Sequence, residues 1–302
     1  MISTLLSVAI IGVELSSAAA ITSNAYRSVM AGDSTATHDT GKGEPTYLPT
    51  TTVGRPAHCP ADQAATATVR AMQAVLPSAQ VGFAVFDRAC DTLLTSQDTD
   101  RQFASMSVVK LLIALDTLAG AGWVVPDTAR QQELHQMLAS SDDGIANKLW
   151  STNGGPAIVT RMVDLLGLTA TLPPEEPSQW GDTLITPADI VTVYRYITDQ
   201  LPGPSRDLLL DALSNTPQIA ADGFDQHFGI PAAMPTSAWA VKQGWGTSGS
   251  QAIMNSTGLV GTELRYVVVI LAAAPASSYS TVPAAVTAGA GALADAIGES
   301  SP

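Results

Sequence analysis

A helix that is apolar on every side is stable only inside a protein, where other elements can cover all of it. Residues 103–122, FASMSVVKLLIALDTLAGAG, have that character: Val, Leu, Ile and Ala recur without leaving a polar stripe. The rest of the chain must therefore wrap this segment. The means are present, because 302 residues with 46% hydrophobic and 14% charged side chains can bury a sizeable core as one large or two modest domains. The segment nevertheless carries Ser107 at its start and Lys110 one turn later, and a lysine in such surroundings requires an explanation.

The neighbouring segments suggest what does the wrapping. In CPADQAATATVRAMQAVLP, Ala65, Val69, Met72 and Leu76 fall at helical spacing. QVGFAVFDRACDTLLTS reads as two strands with a turn near Asp87–Asp91. A helical middle then runs from Ser107 to about Leu213, and Thr186-Pro187-Ala188-Asp189 marks one helix start inside it: an N-cap, a proline in the first turn and an acid at N3. Strands return in SAWAVKQGW, AIMNSTGLVG and RYVVVILAAAP, and VPAAVTAGAGALADAIGE closes the chain as a helix. The run in RYVVVILAAAP has about nine apolar residues, too few to span a bilayer, and its β-branched content suits a buried strand. The expected fold is α+β: a five-stranded antiparallel sheet flanked by the terminal helices, with an all-α subdomain inserted.

Ser107 and Lys110 stand at i and i+3, so hydroxyl and amine can meet on one side of a helix. A serine becomes nucleophilic when a neighbour takes its proton, and burial makes a lysine able to do so by disfavouring its charged form. A salt-bridged structural lysine is the bland alternative. Two further stretches bear on the choice: ASSDDGIANKLW, and WAVKQGWGTSGS at the returning strands. With ASMSVVK they resemble S-x-x-K, S-D-N and K-T-G, the three signature elements of class A β-lactamases and penicillin-binding D,D-peptidases. The order agrees, as do the contexts of helix start, interhelical loop and strand. SDDGIANKLW also echoes the longer family pattern through Asn147 and Leu149.

The resemblance covers about residues 60–298 and implies roles. Ser107 is the acylated nucleophile, Lys110 its general base and Ser141 a proton relay to the leaving group. Lys242 holds an anionic group and, by its charge, helps keep Lys110 neutral. The backbone N–H groups of Ser107 and Trp245 form the oxyanion hole, and Asp143, Gln243 and Gly244 complete substrate binding. Three departures qualify this. Asp143 replaces an asparagine, so it can accept from Lys110 but not donate, and it favours the charged lysine; a surface acid capping the helix from Gly144 is its alternative reading. Gln243 replaces a threonine and offers longer, floppier N–H donors. Glu176-Pro177 stands where the family's deacylating Glu-Pro would be, 176 − 141 = 35 residues after Ser141, but only 186 − 176 = 10 residues lead on to Thr186 and no arginine stands just before Glu175. Glu175 and Glu176 can equally be solvated loop acids. The separation 141 − 107 = 34 also implies a reduced helical subdomain.

The resemblance thus implies a serine acyl-enzyme hydrolase cleaving an amide or ester, with a small molecule or cell-wall peptide as substrate. The alternative is a non-catalytic relative that keeps the pocket for binding. No cofactor is expected. The histidines, His38, His58, His135 and His227, are scattered, so a metal site has no support. The net charge of −13 disfavours nucleic acid and anionic lipid, and a monomer is expected. Residues 1–21, apolar and ending in Ala18-Ala19-Ala20, resemble a secretory signal, with an uncleaved anchor or a buried N-terminal helix as alternatives; Glu14 interrupts the run and the first basic residue, Arg27, follows it. No cysteine follows closely enough for a lipoprotein anchor there. Residues 22–57 read as a flexible linker and 58–302 as the hydrolase domain. Export to the cell envelope or beyond would let the two cysteines, Cys59 and Cys90, form a disulfide closing 90 − 59 = 31 residues, which chain entropy values at about 3–4 kcal/mol.

Overall fold

The computed structural model describes residues 64–299. The N-terminal segments 1–21 and 22–57, and Cys59 with its expected bridge, lie outside the described residues.

Helix α1 (Ala64–Val75) leads into strands β1 (Gln80–Asp87) and β2 (Thr92–Gln97), and the chain returns to the sheet only with β5 (Trp239–Ser248), β6 (Gln251–Val260) and β7 (Tyr266–Pro275). The sheet order is β2-β1-β7-β6-β5 with every pair antiparallel. Strand β7 is central. Its residues Val268, Ile270 and Ala272 join Phe83 and Val85 of β1 in a core completed by Met72 of α1 and by Val286, Ala290 and Leu293 of the C-terminal helix α9 (Val282–Ile297). The alternate residues Val267, Val269 and Leu271 are equally buried under the other face, which explains why this strand reads as a continuous apolar run.

That second face carries the helices: α2 (Lys110–Gly120), α3 (Thr128–Ala139), α4 (Asp143–Thr152), α5 (Ala157–Leu166), α6 (Pro187–Asp199) and α7 (Gly203–Ser214). Helix α2 is the enclosed one, with nine of its eleven residues buried. One of them, Asp116, accepts from two guanidinium nitrogens of Arg161 of α5 at 2.7 and 3.0 Å, a bidentate pairing for a buried carboxylate. Two details differ from the sequence reading. The segment at Ser107 begins as a 3-10 turn over Met106–Val109, with α2 proper starting at Lys110. Two-residue strands β3 (Phe103–Ala104) and β4 (Leu184–Ile185) pair with each other, and the one-turn helix α8 (Ile230–Ala233) precedes β5. Elements this short have too few residues to show a period.

Candidate active site

The 3-10 turn bearing Ser107 is held against β5 and β6 by backbone contacts that only particular residues permit. A Cβ on Gly244 of β5 would lie 2.6 Å from the Ser105 carbonyl oxygen and 3.2 Å from the Ser107 nitrogen. Gly244 is therefore what lets the strand edge reach the backbone of the serine. From β6, Asn255 donates its Nδ2 to the carbonyls of Ala104 and Ser105 at 2.9 and 3.1 Å. Met106 takes a left-handed φ of 47°, and Ser141 one of 57°; non-glycine residues in that region carry strain that the surrounding contacts must offset. Both neighbour the same cleft, where Ser107, Lys110, Ser141, Asp143 and Lys242 come together.

Lys110 Nζ lies 2.9 Å from Ser107 Oγ, 2.7 Å from the Ser141 carbonyl, 3.1 Å from Ser141 Oγ and 2.6 Å from Asp143 Oδ1. An ammonium has three N–H groups for these four atoms, whereas the neutral amine has a lone pair that could receive the Ser107 proton. Lys242 Nζ donates to Ser141 Oγ at 3.0 Å and to the Gln243 carbonyl at 3.1 Å. The resulting chain is Ser107 Oγ, Lys110 Nζ, Ser141 Oγ and Lys242 Nζ, all on buried residues. Behind it, Thr257 Oγ1 donates to the Lys242 carbonyl at 2.7 Å and pairs with the Tyr194 hydroxyl at 3.0 Å.

Burial pulls the Lys110 amine below the ordinary lysine range, against the opposing charge and hydrogen bond of Asp143. Burial, and then the charge of Lys110, also pull the Lys242 amine well below its ordinary range.

Two expectations are corrected. Gln243 was expected to offer donors to a substrate; its side chain is buried and gives Nε2 to the carbonyls of Gln226 and Phe228 at 3.2 and 2.6 Å. Strand alternation carries it to the face opposite the cleft. Glu176 is exposed, accepts from its neighbour Ser178 at 3.1 Å and does not line the cleft. The short loop is closed early by reciprocal Leu172–Leu184 backbone hydrogen bonds of 3.0 Å, and it is anchored by Asp189, which accepts from Thr169 N, Ala170 N and Thr171 Oγ1. That geometry brings Trp180 to the site in place of a glutamate. Finally, the helix after Ser141 is capped by Asp142, which accepts from Ile145 N at 2.9 Å, leaving Asp143 for Lys110.

The cleft is about 460 Å³ and includes Ser107, Asp143, Trp180, Asp182, Asp222 and Trp245 in its lining. Trp180 donates Nε1 to Asn147 Oδ1 at 2.7 Å and sets its ring 4.9 Å from Lys110 Nζ. Trp245 stacks on Phe224 at 4.9 Å and donates Nε1 to Asp222 at 2.9 Å. Trp180, Asp182, Asp222 and Asn255 were not singled out from sequence as site residues, because they lie on loops or a strand outside the three motifs.

No family model matches the chain. Among solved structures, PBP-A superposes with a TM-score of 0.61 at 20% identity, covering 79% of this chain and 98% of its own. A β-lactamase from Desulfarculus baarsii gives 0.61 at 18%, covering 77% and 98%. These likenesses establish the β-lactamase and penicillin-binding-protein fold. By sequence, "Putative lipoprotein LppW" of Mycobacterium tuberculosis is 36% identical over 222 residues, covering 71% of this chain and 69% of that protein, and its Mycobacterium bovis counterpart gives the same values. On that identity and coverage, the chain belongs to the family of these mycobacterial LppW proteins and carries a class A β-lactamase-like fold.

Proposed function

We propose that this protein is an exported serine acyl-enzyme hydrolase, acting on an amide or ester through Ser107. The observation that carries the reading is the 2.9 Å contact between Ser107 Oγ and a buried lysine amine. In the proposed step, Ser107 Oγ forms a bond to the substrate carbonyl carbon while its proton passes to unprotonated Lys110. The leaving group departs with a proton delivered through Ser141. Backbone N–H groups of Ser107 and Trp245 hold the oxyanion, a service commonly worth about 3–4 kcal/mol. The close approach of Gly244 to the Ser107 nitrogen supports that placement. Ser141 Oγ, 3.1 Å from Lys110 Nζ and 3.0 Å from Lys242 Nζ, connects the two amines and gives a proton a path between them. Water then cleaves the acyl ester.

The name of the relatives as putative lipoproteins and the apolar residues 1–21 support an envelope location. In this chain the first cysteine is Cys59, 59 − 21 = 38 residues after that run. A second reading, a binding protein that keeps the pocket without turnover, draws on the 2.6 Å Asp143–Lys110 ion pair, which favours a charged lysine. Hydrolysis of a chromogenic p-nitrophenyl ester by the intact protein and by Ser107→Ala separates the two. Turnover abolished in the variant is expected, and equal rates for both proteins would remove the enzymatic reading.

A further inference from the structure

The cleft over Ser107 has an unusual charge arrangement for a site whose resemblance implies an anionic substrate. Its lining includes three carboxylates, Asp143, Asp182 and Asp222, and no arginine or lysine side chain. The two lysines beneath are buried. Lys110 is paired with Asp143 at 2.6 Å, and Lys242 spends its N–H groups on Ser141 Oγ and the Gln243 carbonyl. The polar group expected to receive a carboxylate, the Gln243 amide, is turned to the other face of β5. An anion in this cleft would meet the carboxylates of Asp182 and Asp222, neither of them in ion-pair contact with a cation among the described residues, and would find the Gln243 amide turned away.

The aromatic side chains add a complementary feature. The indoles of Trp180 and Trp245 line the same cleft, and each is fixed by its own hydrogen bond, to Asn147 and to Asp222. Indole faces attract cations, with gains that grow as the cation is desolvated. Each ring already lies near a buried amine, Trp180 4.9 Å from Lys110 Nζ and Trp245 5.9 Å from Lys242 Nζ, and the carboxylates of Asp182 and Asp222, the latter accepting from Trp245, line the same cleft.

Resting on the acyl-enzyme reading, we infer that the site selects acyl donors carrying a cationic group, an ammonium seated among Trp180, Trp245, Asp182 and Asp222, and discriminates against donors carrying a carboxylate. The preference acts on binding and on acylation of Ser107, because the charge lies in the cleft that the acyl chain must occupy. It has a long-range part, since the whole chain bears −13, and a local part from the two aspartates and two indoles.

Three p-nitrophenyl esters with one chain length test this: 4-trimethylammoniobutanoate, its neutral isostere 5,5-dimethylhexanoate, and the glutarate monoester. The rate constant for the nitrophenolate burst is read, with intact mass confirming the adduct. The cationic ester is expected to acylate about tenfold faster than the neutral one and the anionic ester slowest. The ratio should shrink between about 0.01 M and about 1 M salt, as the Debye length falls from about 30 Å to about 3 Å. In Asp182→Asn/Asp222→Asn the cationic-to-neutral ratio should fall to about one. A neutral or anionic ester that reacts as fast as the cationic one overturns the inference, and so does a ratio unaltered in the double variant. A generic fluorophosphonate probe keeps the two readings apart. Failure to label Ser107 rejects the acyl-enzyme reading itself, whereas labelling without charge preference rejects only the selectivity. If the probe reacts and no ester does, protection of Ser107 from the probe by the three corresponding primary amides decides on the same criteria.

Discussion

Lys110 is the residue on which the account turns, and its protonation is set by two opposed neighbours. Burial lowers its pKa and Asp143 raises it. Acylation needs the neutral amine, so the rate should climb with pH through the Lys110 pKa. Asp143→Asn removes the raising influence, and the acid limb of the acylation profile should move to lower pH; a stopped-flow pH profile that moves upward, or stays, contradicts this. Lys242 is a buried lysine with no carboxylate in ion-pair contact among the described residues. Its folded pKa lies below 10.5, so between the two values the unfolded chain binds more protons and stability rises with pH through that window. Lys242→Met should therefore unfold at a higher temperature near neutrality, by about 1–2 kcal/mol in stability, while losing acylation. At this scale the sequence was informative for Ser107, Lys110, Ser141 and Lys242, whose spacing and order carried the motif. It was not informative for Gln243, whose side-chain direction depends on strand register, nor for Asn255, which acts from a strand 151 residues after Ala104.

Among the elements, the short loop from Gly167 to Thr186 sets the fate of an acyl group. Its closure at Leu172 and Leu184 and its anchorage on Asp189 leave Glu176 exposed and outside the cleft, with Trp180 over the lysine. Deacylation by a positioned glutamate requires a water held within about 1 Å of its productive place. Any β-lactam ester formed on Ser107 should therefore persist, giving a burst of one equivalent followed by slow release. Steady turnover of a chromogenic cephalosporin at about 1–1000 per second, collapsing in Glu176→Gln, would mean that the loop reaches the site after all. The start of helix α6 was legible because its cap is a local signal: the Thr186 side chain does accept from Asp189 N at 3.2 Å. The loop's path was not, since it depends on Asp189 reaching back 20 residues to Thr169.

For the whole molecule, the strand–helix–strand order of the chain sufficed to anticipate the architecture, because a helix that must be enclosed and a strand apolar on both faces admit few arrangements. The sheet order placing β7 between β1 and β6 was not contained in any local pattern. The expected Cys59–Cys90 bridge would tie the segment before α1 to the turn after β1, and thiol titration of the denatured, unreduced protein should detect no free thiol; two free thiols contradict it. The central claim concerns one atom, Ser107 Oγ, and the most direct test is peptide mapping after exposure to a generic fluorophosphonate probe. A single adduct on Ser107, absent from Ser107→Ala and slowed in Lys110→Ala, is the predicted result. An adduct on Ser105, or one that persists in Ser107→Ala, would contradict the account.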